Sequence, residues 1–342
     1  MKVSDVFLTG LGVFQPPTVD AGQAARRGEY DAANYLENRL TGVCIAGDIS
    51  PPEMAVHAAR QAISRADADP ARIGLLMHAT VYWQGPEMWH SPSYIQKQII
   101  GNSVPGFEIR LGCNGVFAAL ELAAARMASL DPAETALLTS AENFGTPLID
   151  RWNGAPGFLE GDAGCALLLS GRSGFARLLA VGSAAMPEVE ELNRGGEPLF
   201  PPAPGKYIDM RSRAMYFREH VMSLADAAEV NNRTQVDLVE RTLEEAQLKL
   251  EDMSRVIYGN VAGYLNEQLV LEPLGIPVER TTWQFGRGIG HTGASDQWLS
   301  LNHLLLTGQL APGDHVLMAG GAPATVSSAV LEILEVPEWA RA

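Results

Sequence analysis

The chain is predicted to fold as an α/β protein made of two similar halves. Apolar strand-like runs alternate with segments of helical period along the whole sequence, and the order of these segments in the first half recurs in the second. The chain length is compatible with two halves, because 342 residues with 46% hydrophobic side chains suffice for a large core or two fused domains. We place the halves at residues 1–171 and 172–342.

The first half contains strands that are apolar without alternation, which is typical of a sheet covered by helices on both faces. The pattern predicts strands at 6–12, 73–79, immediately before Cys113, at 135–140 and at 164–170. Helices are predicted at 52–66, 93–100 and 116–129.

The second half repeats this order. Strand-like runs lie at 175–183, 255–260, 281–285 and 315–321, and a further apolar run closes the chain at 326–333. Helices are predicted at 215–228, 234–248, 266–274 and 294–306. The stretch 187–204, rich in Pro, Gly and Glu, is predicted to be an exposed loop.

The net charge, the hydropathy and the spacing of the cysteines each exclude a class of function. A formal charge of −15 argues against nonspecific nucleic-acid binding, which requires a dense stripe of Lys and Arg. No run approaches the ~18 apolar residues of a membrane span, and the N-terminus lacks a signal-peptide pattern, so we expect a cytoplasmic protein. The widely spaced Cys44, Cys113 and Cys165 form no disulfide framework and no metal-binding pattern, so we expect no metal site.

Cys113 lies between a strand-like run and an Ala-rich helical segment, so its thiol is expected to face a helix N-terminus. Free backbone N–H groups and the helix dipole stabilise a thiolate at such a position. The alternative is a buried structural cysteine, which is the commoner state of a lone Cys. Cys113 is therefore a candidate nucleophile toward acyl carbonyls.

A thiol nucleophile for acyl transfer needs a base, a group that orients the base, and donors for the oxyanion. Among the seven histidines, His291 lies in a loop of closely spaced glycines just before a helix. Asp296, at the first turn of that helix, either compensates the helix dipole or fixes the tautomer of His291, and both roles are compatible. The two residues and Cys113 would form a Cys-His-Asp relay.

Two glycine-rich segments could each serve a binding role or a purely structural one. Gly321, at the end of a strand, offers a second oxyanion donor beside the backbone N–H of Cys113, unless it serves only a tight turn. The segment 288–293 has the form G-x-G-x-x-G, but a dinucleotide site also needs an acidic residue at the end of the next strand, and Asp314 precedes its strand. We therefore expect no bound cofactor.

Four motifs in order resemble the ketoacyl-ACP synthase III family. They are Cys113 at a helix start, the Gly-Asp-Gly-Ala-Gly-like segment 160–166, the Gly-Asn-Thr-Ser-Ala-Ala-Ser-like loop 290–296 and the Gly-rich end at 319–322. The resemblance covers nearly the whole chain. It implies the thiolase fold, with two similar halves in a five-layered αβαβα arrangement, and a homodimer.

The chain departs from the family at two positions. Where the family has His-Gln-Ala-Asn after a strand, this sequence has Asn260, Val, Ala and Gly, and His291 stands where the family has Asn. Condensing enzymes of the family use that His and Asn to stabilise an enolate after decarboxylation. The rearranged set resembles the acyltransferase branch of polyketide and antibiotic pathways, in which a Cys-His-Asp set transfers acyl groups without condensation. We expect Asn260 to line the acceptor side.

The resemblance also implies the substrates. An acyl group on the phosphopantetheine of an acyl carrier protein (ACP) or of CoA would load Cys113 and pass to a hydroxyl of a sugar or natural product, or to another carrier. The family clamps the CoA adenine with Trp and Arg, but Leu36 and Leu40 stand at those places, which favours a carrier-bound donor. The aromatic segment 82–89 suggests a pocket for an aromatic or short polyketide group, unless it is core or dimer contact.

Two other functions stay open. The chain could be a condensing enzyme that primes polyketide or fatty-acid synthesis, with His291 as the sole group on the enolate side. It could instead be a noncatalytic subunit that binds acyl carriers. The acyltransferase hypothesis requires a particular geometry. His291 must lie within hydrogen-bond distance of the Cys113 thiol, or one water away, and must also contact Asp296.

Overall fold

The computed structural model describes residues 1–201 and 206–341. The strands in this part of the chain are β1 Phe7–Phe14, β2 Thr18–Asp20, β3 Gly42–Cys44, β4 Ile73–Ala79, β5 Gly106–Ile109, β6 Thr135–Glu142, β7 Ala163–Ser170, β8 Ala176–Ala185, β9 Met253–Ile257, β10 His315–Ala322 and β11 Thr325–Ile333.

The α-helices are α1 Ala21–Arg26, α2 Ala32–Asn38, α3 Pro51–Arg65, α4 Ser91–Ile99, α5 Gly115–Met127, α6 Glu191–Arg194, α7 Met210–His220, α8 Leu224–Ala246, α9 Gly263–Asn266, α10 Glu272–Leu274, α11 Trp283–Gly286 and α12 Asp296–Leu306. A π-helical turn, Glu267–Leu271, joins α9 to α10. Single 3₁₀ turns lie at Pro70–Arg72, Pro187–Val189, Leu250–Asp252, Val278–Arg280, Gly293–Ser295 and Glu338–Ala340. No helix in the described part of the chain combines the length and the apolar character needed to cross a membrane.

Nine strands form one mixed sheet in the order β5-β4-β6-β7-β1-β8-β11-β10-β9. The pairing pattern is repeated on both sides of the junction between β1 and β8. On one side β1 is antiparallel to β7, β7 is antiparallel to β6, and β6 is parallel to β4. On the other side β8 and β11, β11 and β10, and β10 and β9 pair in the same three ways. The two halves are therefore structural repeats, and the predicted boundary between residues 171 and 172 falls in the turn between β7 and β8.

The layers follow the predicted five-layered αβαβα arrangement. Helix α3 covers the outer face of β1, β6 and β7, and α8 covers the outer face of β8 and β11. Between the two parts of the sheet lie α5, which contacts β4–β6 on one side and β8 and β11 on the other, and α12, which contacts β1, β9 and β10. Since β1 and β8 pair over only two residue positions, the sheet can fold around this middle layer.

The predicted strand at 281–285 is wrong. Only Thr281 pairs in the sheet, in an isolated parallel bridge to Val256, and the chain then turns into α11. The bridge lies where β5 lies in the first half, parallel to β4. The indole N–H of Trp283 donates to the Val261 carbonyl, 3.0 Å away, which ties this segment to the loop after β9 instead of to the sheet.

The predicted boundary between two helices at 215–228 and 234–248 is also wrong. Helix α7 ends at His220, and α8 begins at Leu224 and continues to Ala246. Ser223 caps α8, because its hydroxyl accepts the backbone N–H of Asp226 at 3.1 Å. The other predicted elements lie within a few residues of the observed ones. The stretch 187–204, predicted as a loop, contains a 3₁₀ turn and α6, and its residues 202–204 lie outside the described residues.

The close contact between α3 and β1 depends on glycine. A Cβ atom on Gly12 would overlap the backbone of Ala58 and Ala62, and a Cβ on Gly10 would overlap the carbonyl of Ala62. Because these atoms belong to the helix backbone, no side-chain rotation relieves the overlap. The sequence of β1 thus fixes how closely the outer helix approaches the sheet.

We expect Gly12→Ala to lower the free energy of unfolding by about 3 kcal/mol or more, since overpacking against backbone requires a shift of the whole helix. Gly171→Ala is the matched control, because its added methyl would meet only ordinary contacts, the nearest at 3.7 Å. Denaturant unfolding followed by circular dichroism measures both variants. Equal midpoints for the two variants would contradict this account of α3 packing.

Candidate active site

Cys113 lies at the N-terminal end of α5, as predicted, and its side chain is half-buried. Gly112 precedes it with φ +54°, in the left-handed region that glycine adopts readily. A Cβ on Gly112 would lie 3.0 Å from Pro323 and 3.2 Å from Ala322, in the turn between β10 and β11. Glycine therefore both turns the chain into the helix and lets the β10–β11 hairpin pack against the residue that precedes Cys113.

His291 lies at hydrogen-bond distance from this thiol. Its Nε2 is 2.9 Å from Cys113 Sγ, although the two residues are 178 positions apart in the sequence. Its backbone is fixed by two hydrogen bonds, because His291 N–H donates to the Leu159 carbonyl at 2.7 Å and its carbonyl accepts from Gly161 N–H at 2.8 Å. The ring of Phe158 packs edge-on against the imidazole, with centroids 5.2 Å apart. The imidazole is thereby fixed from its backbone and from one side of its ring.

Asp296 holds the other nitrogen of His291. His291 Nδ1 is 2.6 Å from Asp296 Oδ2, and the carboxylate is fully buried at the first turn of α12. Asp296 also accepts the backbone N–H of Thr292 at 2.6 Å and its hydroxyl at 2.7 Å. Two more donors come from Asn260, its backbone N–H at 2.8 Å and its side-chain amide at 3.0 Å. Five hydrogen-bond donors thus satisfy one buried negative charge.

The charges on either side of the imidazole set its protonation. Burial opposes a charge on the ring, but the Cys113 thiolate and the Asp296 carboxylate more than offset it and hold the pKa of His291 well above its usual value. His291 is therefore an imidazolium at neutral pH. A positive ring next to the sulfur stabilises the thiolate, which is the nucleophilic form of cysteine.

Asn260 does not lie as predicted. Its side-chain amide donates to Asp296 and to the Gly290 carbonyl, 2.8 Å away, and its oxygen faces Gly286, where a Cβ would overlap it. Only 3% of the residue is exposed. The prediction that Asn260 lines the acceptor side is therefore corrected: its hydrogen bonds orient Asp296 and the loop that carries His291.

The predicted oxyanion donors both have free backbone amides. The N–H of Cys113 donates to no other residue among those described. In the β10–β11 hairpin Ala322 pairs with Thr325 across a two-residue turn, so the alternation of hydrogen-bonded pairs directs the Gly321 N–H away from β11. β9 pairs with β10 only as far as Met318 and does not cover this amide. Gly321 can therefore donate toward the end of β10 that faces Cys113.

The other two thiols are buried and poorly reactive. Cys44 and Cys165 are fully buried, and burial raises the pKa of the first to about 11 and of the second to about 12. All three cysteines are free. Only Cys113 combines partial exposure with a cationic neighbour.

The remaining histidines lie outside this constellation. His78 is buried between Thr139 and Gln84, at 2.9 and 3.0 Å, and burial lowers its pKa. His90 bonds Ser93 on the surface at the start of α4. Among the residues that the structure describes, no group of three or more His, Cys, Asp and Glu is arranged to hold a metal ion.

Two site residues were missed at the sequence level. Thr292 supplies two donors to Asp296, and its place between His291 and a glycine gave no signal of that role. Glu160 pairs with His291 in an isolated parallel bridge, and burial is the main cause that raises the pKa of its carboxyl. A charged residue directly before the small residues of 161–166 was the available signal for Glu160.

Comparison with known families agrees with this fold and site. Residues 107–185 match the family model described as 3-oxoacyl-ACP synthase III, and residues 243–333 match that of the synthase III C terminal. A β-ketoacyl-ACP synthase III of Aquifex aeolicus is 25% identical over 327 residues, covering 95% of this chain and 98% of the relative. A synthase III of Streptomyces coelicolor is 26% identical over 294 residues and covers 82% of each chain.

Solved structures give the same result. The structure named ChlB3, an acyltransferase, is 42% identical, covers 98% of this chain and 99% of its own, and superposes with a TM-score of 0.93. The Aquifex aeolicus synthase III structure is 22% identical, with a TM-score of 0.78 and 96% and 99% coverage, and shares the fold. The architecture is that of the thiolase superfamily. The chain belongs to its ketoacyl-ACP synthase III-like family of enzymes.

We expect iodoacetamide to label wild-type Cys113 at pH 6 nearly as fast as at pH 8. The raised pKa of His291 keeps its ring protonated through this range, and a cation 2.9 Å from the sulfur favours the nucleophilic form of cysteine. In His291→Gln the cation is lost. The labelling rate at pH 6 should then fall toward a value roughly 80-fold below the rate at pH 8, as for an ordinary thiol with a pKa near 8.5. Mass spectrometry of the alkylated peptide measures the rates.

Cys113→Ala is the control for this experiment and should take up no label, because Cys44 and Cys165 are buried and protonated. The same pH profile in wild type and His291→Gln would show that His291 does not charge the thiol.

Proposed function

We propose that this enzyme is an acyltransferase that takes an acyl group from the phosphopantetheine of an acyl carrier protein onto Cys113 and passes it to a hydroxyl without decarboxylative condensation. The observation that carries the proposal is the unbroken chain of contacts from Cys113 Sγ through His291 to Asp296, at 2.9 and 2.6 Å. The acceptor is a hydroxyl of a sugar or natural product, with another carrier as the second possibility. The 42% identity with a structure named as an acyltransferase supports the same class of reaction.

In the first half-reaction the Cys113 thiolate attacks the carbonyl carbon of the donor thioester. The carbonyl oxygen becomes an oxyanion held by the backbone N–H groups of Cys113 and Gly321. When the tetrahedral intermediate collapses, the bond to the donor sulfur breaks and the acyl group stays on Cys113. His291 Nε2 gives its proton to the leaving thiolate, so a free phosphopantetheine thiol departs.

Acylation changes the electrostatics around His291. The sulfur no longer carries a negative charge, so one of the two charges that raise the pKa of His291 disappears, while Asp296 remains. Neutral His291 can then accept the proton of an incoming hydroxyl as its oxygen attacks the acyl carbon. The Cys113 thiolate leaves, and the protonated imidazole faces it again.

The position of Asn260 supports transfer over condensation. A decarboxylative condensation needs donors free to stabilise an enolate, and the side-chain amide of Asn260 already donates to Asp296 and Gly290. Its place in the family pattern belongs to the histidine of the condensing enzymes. With this amide engaged, the site offers His291 as a base toward an acceptor proton.

The proposed donor is carrier-bound and its acyl group aromatic or a short polyketide, as in antibiotic pathways. Leu36 and Leu40 carry neither the indole ring nor the guanidinium with which the family clamps the CoA adenine, and Leu40 is fully buried. The catalytic groups are the chain's own side chains, so the proposed chemistry needs no resident cofactor. Three free cysteines fit a reducing cytoplasm as its location.

Intact-protein mass spectrometry after incubation with a panel of acyl-ACP and acyl-CoA donors tests the proposal. We expect wild type to gain the mass of one acyl group, Cys113→Ala to gain none, and a hydroxyl acceptor to discharge the adduct as an ester. Asp296→Asn should slow the discharge by about 10²-fold or more, because an amide facing Nδ1 favours the wrong tautomer of His291.

The alternatives give different results in the same assay. Release of CO₂ from a malonyl-carrier substrate with a β-keto product would identify a condensing enzyme. Tight binding of a carrier protein with no adduct on wild type from any donor would identify a noncatalytic subunit.

We also propose a homodimer that pairs two copies of β5. This strand forms the outer edge of the sheet, with β4 on its other side. Phe107 on it is 49% exposed, and Trp89, which packs on Tyr94 of the neighbouring helix α4, is exposed as well. An apolar edge strand readily pairs with another copy of itself. Continuation of the sheet across two subunits would cover these side chains.

Light scattering on the purified protein should give twice the chain mass of 36.7 kDa. We expect Phe107→Lys to shift the protein toward the monomer, since it puts like charges on both sides of the interface. Leu306→Lys, an exposed substitution at the end of α12, is the control and should stay dimeric. A monomeric wild type would refute the homodimer.

A further inference from the structure

Tyr258 is a buried phenol whose hydroxyl has no protein partner. It directly follows β9, and its ring packs in a cluster with Val256, Leu317 and Ala319. Only 7% of the residue is exposed. Its Oη makes no hydrogen bond with any other described residue, yet it is not among the fully sealed polar atoms, so it borders open space. Buried hydroxyls are normally hydrogen-bonded, so this hydroxyl needs a partner from outside the protein.

The hydroxyl lies next to Gly321, one of the two residues whose backbone N–H groups would stabilise the oxyanion. A methyl group built on Gly321 would be 3.0 Å from Tyr258 Oη, and no other atom would come within 4 Å of it. Burial raises the pKa of Tyr258, and the charge of Cys113 raises it further. Tyr258 therefore remains a neutral O–H donor while Cys113 is a thiolate.

We propose that Tyr258 Oη donates a third hydrogen bond to the oxyanion that forms when an acyl group is bonded to Cys113, together with the backbone N–H groups of Cys113 and Gly321. This inference rests on the proposed acyl transfer. Tyr258 keeps its proton throughout, since it donates a hydrogen bond and transfers nothing. The bond strengthens as the carbonyl oxygen acquires negative charge, so it favours the tetrahedral state over the bound thioester.

The geometry explains two sequence features together. Residue 321 must be small, because a side chain there would press on the phenol oxygen. Residue 258 must carry a hydroxyl on a rigid apolar ring, which the surrounding cluster holds without a hydrogen bond to the protein. A preorganised donor of this kind costs no rearrangement at the moment of reaction.

Tyr258→Phe removes only the hydroxyl oxygen and tests the proposal with two reactions of the same thiol. Acylation by a thioester passes through an oxyanion, whereas alkylation by iodoacetamide does not. We expect single-turnover acylation to slow by about 10²-fold, as for loss of one oxyanion donor elsewhere. The rate of Cys113 alkylation should match wild type. Tyr216→Phe is the matched control and should leave both rates unchanged, because Tyr216 is 37% exposed and its ring stacks on His220 within α7.

Gly321→Ala supplies a second, independent measurement. Its methyl displaces the phenol oxygen in the wild-type background but meets no oxygen in Tyr258→Phe. We therefore expect Gly321→Ala to slow acylation strongly in the wild-type background and only weakly when it is added to Tyr258→Phe, so the two effects are not additive.

Three outcomes would overturn the proposal. Unchanged acylation in Tyr258→Phe would show that the hydroxyl does not touch the oxyanion. A parallel loss of acylation and alkylation would assign Tyr258 a purely structural role. If wild type forms no acyl adduct with any donor, the proposed function fails first and the role of Tyr258 fails with it, which the intact mass of wild type alone reveals.

Discussion

The site depends on a carboxylate that is completely removed from water. An isolated charge of this kind is strongly destabilising, and it is tolerated only where donors replace the lost hydration. Asp296 meets that condition with five hydrogen bonds from three residues, Asn260, His291 and Thr292. These bonds join the loop after β9 to the loop before α12. The orientation of His291 is thus a consequence of satisfying one buried charge.

The repeat of the two halves explains why these groups meet. Helices α5 and α12 occupy equivalent positions in the middle layer, and their N-terminal ends approach closely, with Gly115 beside Ala294. Each helix end favours a negative charge. The first half places the Cys113 sulfur there and the second half places Asp296, with His291 between them. The same architecture therefore provides a nucleophile from one half and proton transfer from the other.

Sequence patterns predicted most elements because local signals and burial agree in them. The strand at 73–79 and the start of α5 beside Cys113 are examples. The strand prediction at 281–285 is wrong because the Thr and aromatic residues there favour a strand by local propensity. The long-range hydrogen bond from Trp283 to Val261 instead fixes this segment as a helix. The cap at Ser223 has a local sequence signature, Ser-x-x-Asp, which marks the true start of α8. For Asn260, residue type and order were informative, but the partners of its amide depend on packing that no local pattern encodes.

The separation of 178 positions between Cys113 and His291 in the sequence also affects the kinetics of folding. Contacts so far apart in sequence form late, because the entropy of closing a long loop must be overcome before the contact gives any stabilisation. Each half can collapse around its own part of the sheet before the two close on α5 and α12. The thiol–imidazole pair is assembled only when that docking is complete. The enhanced reactivity of this cysteine at low pH therefore requires the docked halves, and a chain arrested earlier has only ordinary thiols.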